Sequence, residues 1–166
     1  MSIYPRGKTH WEANALMTRI NIFLSVLTAA ILFAEPSSAT EVAKYKVADG
    51  AIKESLTGKA GDPEKGKKAF LNRKQGNCLA CHQVTALSDH PFHGGIGPSL
   101  DGVADRYDLG ELRLQIVDAK QVNPDTIMPA FYRTDGFHRV LKKFDGKSVL
   151  TAEQVEDILA YLQTFK

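Results

Sequence analysis

The 166-residue chain is 43% hydrophobic and 24% charged, the balance of an ordinary globular domain, which excludes a disordered or low-complexity protein. Its 21 basic and 19 acidic residues leave a net charge of only +2, so bulk charge gives no reason to expect nucleic acid as a partner. Its two cysteines could be a redox disulfide, half a zinc site or a haem attachment point.

In chain order, the first signal is an export leader. Arg19 precedes the apolar run Ile20 to Ala34, and small residues follow at Ser37 and Ala39. A basic flank, a short apolar stretch and a small-residue site predict a secretory signal over residues 1–39, cleaved after Ala39. The run is 15 residues, short of the roughly 20 that cross a bilayer as a helix. Met17 offers a second, more compact start for the same leader. Cleavage would leave 127 residues with 18 basic and 17 acidic side chains and no further hydrophobic span. A soluble periplasmic protein, with no membrane attachment once the leader is removed, is the expectation. A chain of that length buries only about two-thirds of its unfolded surface, so a large buried cofactor would add considerably to its stability.

Residues 40–61 lack sustained periodicity and contain Gly50, Gly58 and Gly61. They read as an N-terminal extension that lies across the body or meets a partner, ahead of a domain at 62–166. Asp62 and Pro63 have the chemistry of an N-cap and a first helical residue, and predict a helix to about Lys74 with Ala69, Phe70 and Leu71 as its apolar part. Gly76 is placed to end it. A Gly/Pro/His-rich loop follows the cysteines. A further helix is expected over about Leu109 to Ala119, with Leu109, Leu112, Ile116 and Ala119 at helical spacing. Prolines 124 and 129 prevent a regular helix through the next stretch. Thr151 and Gln154 form a capping box ahead of Val155, Ile158, Leu159 and Leu162 on one stripe. No repeat and no convincing strand pair is visible. The predicted domain is all-α, with long loops that need something to pack against.

The cysteines stand in Cys78-Leu79-Ala80-Cys81-His82. A redox dithiol expects a βαβ pattern around such a pair, and the pattern here is helical. Zinc needs four ligands; the motif offers at most three, and His90 and His93 follow no familiar finger spacing. Haem attachment uses every residue. On a helical turn, positions i, i+3 and i+4 share a face, so two thioether sulfurs and one imidazole meet the same porphyrin, and His82 becomes the proximal iron ligand. CxxCH is a c-type haem signature, and export suits it.

Met128 is the methionine that remains beyond the leader, 46 residues past His82 and between two prolines. A lone methionine in a proline-stiffened loop is an odd core filler, and its soft, neutral thioether suits the sixth iron position and a raised potential. His90, His93 and His138 are rivals that read more simply as solvated or structural. Pro98, after Gly97, can offer its carbonyl to the other ring N–H of His82. Lys65, Lys67, Lys68, Arg73 and Lys74 make the first helix basic; the ordinary reading is a solvated face, and beside a haem edge it also suits an acidic redox partner.

Together, Gly66 and Phe70, the haem motif, Gly97-Pro98-x-Leu100, Met128 and the terminal "DILAYL" resemble the class I cytochrome c family. The resemblance implies that the first and last helices cross, with Gly66 and Phe70 against Ile158 and Tyr161. "GIGPSLDGVADRY", "LRLQIVDAKQVNPDTIMPAFY" and "RTDGFHRV" narrow it: over most of residues 62–166 the chain is similar to the SoxX family, haem subunits of the SoxAX complexes of bacterial thiosulfate oxidation. That similarity implies one covalent haem c, a heterodimer with a SoxA-like catalytic cytochrome, action on a SoxYZ-like carrier through the complex, and a soluble cytochrome c as electron acceptor. In that family the catalytic haem belongs to SoxA, so this chain would not be an enzyme by itself. No carboxylate pair or nucleophile–base arrangement is legible. The rival readings are a free-standing periplasmic shuttle to an oxidase and a haem sensor or peroxidase with Met128 off the iron.

Overall fold

Asp62 opens the first helix. In the computed structural model its carboxylate accepts from the N–H groups of Glu64 and Lys65 at 2.9 and 3.2 Å, satisfying donors that a helix start leaves free, and Pro63 begins α1 (Pro63–Leu71). The structure describes residues 42–166; the predicted leader, with both candidate start methionines, lies outside the described residues. α1 ends at Leu71, three residues before the expected Lys74. Asn72 is the reason. Its side-chain oxygen accepts from Lys74 N–H at 3.0 Å and its amide donates to Gln75, a local alternative to helix that asparagine favours. Gly76 lies beyond that turn, buried near Cys78, and does not end the helix.

Three more helices follow: α2 (Val103–Arg106), α3 (Leu109–Asp118) and α4 (Ala152–Leu162). α3 starts on a reciprocal capping box, Asp108 with Glu111, and α4 on the predicted one, Thr151 with Gln154. Val155, Ile158, Leu159 and Leu162 are all buried, as the stripe required. On α3 the stripe holds at Leu112, Ile116 and Ala119 but fails at Leu109, which is 41% exposed at the helix's first turn; Leu114 and Val117 complete the buried face instead. The described residues contain an isolated bridge, Ala48 with Ala51, and no strand. None of their helices is long and apolar enough to cross a membrane.

The core forms where α1 packs on α4. A methyl group at Gly66 would overlap the Asp157 carbonyl and lie 2.9 Å from the Tyr161 Cβ, so only glycine permits this approach. Phe70 then meets Tyr161 edge to face, with ring centroids 5.5 Å apart, and Phe165 closes the cluster at 6.1 and 4.8 Å from those two rings.

Residues 42–61 lie across α3 and α4. Ile52 is buried and pairs through its N–H with the Gly110 carbonyl at 3.0 Å. Beneath it, Arg113 and Glu156 form a buried two-pronged ion pair at 2.8 and 2.9 Å. The spare Arg113 nitrogen donates to the Ile52 carbonyl at 2.7 Å, and Glu156 accepts from the Leu56 N–H at 2.8 Å. The pair therefore stitches the N-terminal segment to both helices, and every guanidinium nitrogen and both carboxylate oxygens have a partner, the condition for burying such charges.

Candidate haem site

Asn77, in the left-handed region at φ 46°, turns the chain out of the Asn72–Gly76 turn into a three-residue 3-10 helix, Cys78–Ala80. Cys81 and His82 both donate their N–H to the Cys78 carbonyl, at 3.1 and 2.9 Å. The motif is thus wound on a single turn, with buried Leu79 pinning it to the core. Both cysteines are free thiols rather than a disulfide. Burial of its sulfur pushes the Cys78 thiol up to about 12, so it stays protonated at ordinary pH. A zinc site finds no support: among the described residues no three His, Cys, Asp or Glu side chains converge on a possible metal position.

His82 is partly buried, and its Nδ1 lies 2.7 Å from the Pro98 carbonyl oxygen. A carbonyl only accepts, so Nδ1 carries the proton and Nε2 keeps a free lone pair. The loop can come this close because residue 97 is glycine. A methyl group there would sit 2.5 Å from Cε1 and 2.7 Å from Nδ1 of the imidazole. Gly97 N–H also donates to the Cys81 carbonyl at 2.8 Å, and Gly94 N–H to the Leu79 carbonyl at 2.8 Å. The loop after the motif is therefore clamped to the motif's own backbone. Two free thiols and one tautomerically fixed imidazole on a turn are a donor set that fits covalent haem with an axial histidine.

Met128 is partly buried and lies on irregular backbone tethered at both ends. Its N–H donates to the Thr126 hydroxyl at 3.2 Å, and the Lys120 ammonium holds the Thr126 carbonyl. Just past it, the N–H groups of Phe131 and Tyr132 donate to the Ile116 and Val117 carbonyls of α3. Of the rival histidines, His93 is engaged through Nε2 with the Leu87 carbonyl at 2.8 Å, while His90 and His138 are exposed. Lys65, Lys67, Lys68, Arg73 and Lys74 are all exposed, with Arg73 stacked 4.9 Å from the centroid of the Phe92 ring.

Sequence reasoning missed one part of this region. The Asp101 carboxylate accepts from Thr85 N–H and Oγ1 at 2.9 and 2.7 Å and from Ser99 Oγ at 3.0 Å. Ser99-x-Asp101 beside Gly97-Pro98 was the available signal, a short polar pair next to a turn.

The family model for cytochrome c matches residues 63–166. A cytochrome c2 of Rhodoblastus acidophilus is 45% identical over 47 residues, 28% of this chain; the match spans only 36% of that curated relative. A chain in the crystal structure of SoxXA from P. pantotrophus superposes with a TM-score of 0.68 at 43% identity, covering 74% of this chain and 94% of that one.

Proposed function

Because this chain belongs to the cytochrome c family, as a class I cytochrome c of the SoxX type, we propose that it receives the electrons released when a SoxA-like partner joins thiosulfate to a carrier-protein cysteine. It is a haem electron-transfer subunit of a SoxAX complex, with an all-α class I cytochrome c fold and one covalent haem c. The bound haem supplies a one-electron iron couple. The chain's own residues do the rest. In our reading Cys78 and Cys81 would anchor the group, His82 would offer Nε2 to the iron with Pro98 fixing the ring, and Met128 would offer the iron its thioether. The thioether would favour the reduced state and exclude small ligands. Residues 1–39 are the export leader, 40–61 an extension and 62–166 the cytochrome domain of a periplasmic protein. The carrier is SoxYZ-like, the acceptor a soluble cytochrome c, and the chain has no catalytic role of its own.

The observation that carries this reading is the 2.7 Å contact between His82 Nδ1 and the Pro98 carbonyl, which leaves Nε2 free on the same turn as two unpaired thiols. The test is a pulldown of the haem-loaded protein from periplasm, followed by haem staining and by a thiosulfate-dependent reduction assay. Co-purification of a second haem protein, and reduction of this chain's haem only when that partner and a carrier are present, are the expected results. Full activity of the isolated monomer would overturn the complex assignment.

A further inference from the structure

The segment Gly97–Asp101 runs beside Cys81–Thr85 as a strap. Gly97 N–H donates to the Cys81 carbonyl at 2.8 Å, the Pro98 carbonyl accepts from His82 at 2.7 Å, Leu100 N–H donates to the Gln83 carbonyl at 3.0 Å, and Asp101 takes both donors of Thr85. Pro98 has no N–H, so nothing on its own backbone nitrogen holds its carbonyl toward the ring; its neighbours must do so. Below it stands a single backbone hydrogen bond from Gly97. Above it the first tie is the Leu100 N–H on the Gln83 carbonyl, and beyond that the Asp101 carboxylate closes the strap with charge-assisted bonds, the Thr85 hydroxyl being nearest at 2.7 Å. Arg106, from α2, locks that closure by donating to the Ser99 carbonyl at 2.8 Å and to the Asp101 carbonyl. These bonds connect the two segments directly, and α2, which carries Arg106, is itself tied to the C-terminal segment by the Ala104 N–H on the Phe165 carbonyl at 3.1 Å.

We propose that Asp101, locked by Arg106, is a positioning residue that holds the Pro98 carbonyl on His82 and thereby tunes the potential of the haem. This rests on the reading of His82 as an iron ligand. An acceptor on the distal ring N–H raises the basicity of an imidazole ligand and favours the oxidised metal. A loosened strap therefore weakens the donation and shifts the potential upward. The hydrogen-bonded chemistry involved is local: Thr85 supplies a hydroxyl and an N–H, Ser99 a hydroxyl, and no group buried in the core takes part.

The experiment uses the haem-loaded protein. Asp101→Ala and, as a second route to the same loosening, Arg106→Met are each expected to raise the midpoint potential and to speed solvent exchange of the His82 ring N–H in the reduced protein, read by proton NMR. Asp101→Asn keeps an acceptor oxygen for Thr85 and is expected to return both readouts toward wild type. Wild-type potential and exchange in the two loosening variants would overturn the proposal, as would a loss of melting temperature with neither readout moved. His82→Ala separates this from the underlying reading: if it retained the wild-type low-spin spectrum, His82 would not be the ligand, whatever the strap variants did.

Discussion

Gly66 of α1 lies directly against the Asp157 carbonyl of α4, with no room for a methyl group between them. The contact sets how closely the two helices approach, and hence whether Phe70 can reach Tyr161 and Phe165. The obstruction is backbone on backbone, which cannot relax as a flexible side chain could. Gly66→Ala is therefore expected to destabilise the haem-loaded protein by about 3 kcal/mol, the upper part of the range for overpacking, despite alanine's better helix propensity. Denaturant unfolding followed by tryptophan-independent far-ultraviolet dichroism measures it; a neutral or stabilising change would show that the helices can separate without loss.

Glu156 and Arg113 hold each other and the N-terminal segment at once. Glu156→Gln leaves a buried guanidinium with no countercharge, and a loss of about 3–5 kcal/mol is expected. Replacing both residues by apolar ones removes the charge penalty but leaves the Ile52 carbonyl and Leu56 N–H without those partners. The double variant should thus recover most of the stability while residues 44–58 become more sensitive to limited proteolysis. Equal protease resistance in the double variant and wild type would mean that Ile52 and the backbone bond to Gly110 suffice to hold the segment.

Much of this was legible locally, because the signals were local. Asp62-Pro63 and the Thr151/Gln154 box state the helix starts in the residue types themselves, and the apolar stripe of α4 has one face to bury. The predicted end of α1 overshoots because the Lys74 N–H donates to the Asn72 side-chain oxygen, a local bond that stops the helix before Gly76 is reached. Spacing alone puts Leu109 on the buried stripe, but spacing says nothing of whether a first-turn residue has a neighbour to pack on. Phe165, Arg113 with Glu156, and Asp101 with Thr85 escaped for a different reason. Each depends on a partner distant in sequence, and a charged or aromatic residue carries no mark of which distant segment it will meet. At the haem motif, by contrast, the spacing of Cys78, Cys81 and His82 already dictates their common turn.

Met128 is held on a tethered, irregular segment rather than within a helix, with Thr126 and Lys120 on one side and the Phe131 and Tyr132 bonds to α3 on the other. That tethering would present its thioether without help from the neighbouring Ile127, which is 74% exposed. Met128→Ala is expected to give a high-spin oxidised spectrum and rapid carbon monoxide binding in the reduced protein, with the potential lowered because the ferrous-favouring ligand is gone. An unchanged low-spin spectrum would place a ligand other than Met128 on the iron.

Asp101 also gives the protein a defined acid sensitivity. Hydrogen bonds from the Thr85 hydroxyl and N–H hold its carboxyl below the ordinary 3.8. The folded state thus prefers the ionised form, so the stabilisation is fully present above pH 3.8 and disappears as the pH falls through the lower, folded value. Asp101→Asn lacks the titrating group. Wild type should be the more stable of the two near neutrality, and the gap should close as the pH is lowered below about 4. Thermal melts of the two haem-loaded proteins over that range measure it, with both chains sharing every other carboxylate. A gap that stayed constant with pH would mean that the ionised form of Asp101 adds no stability of its own.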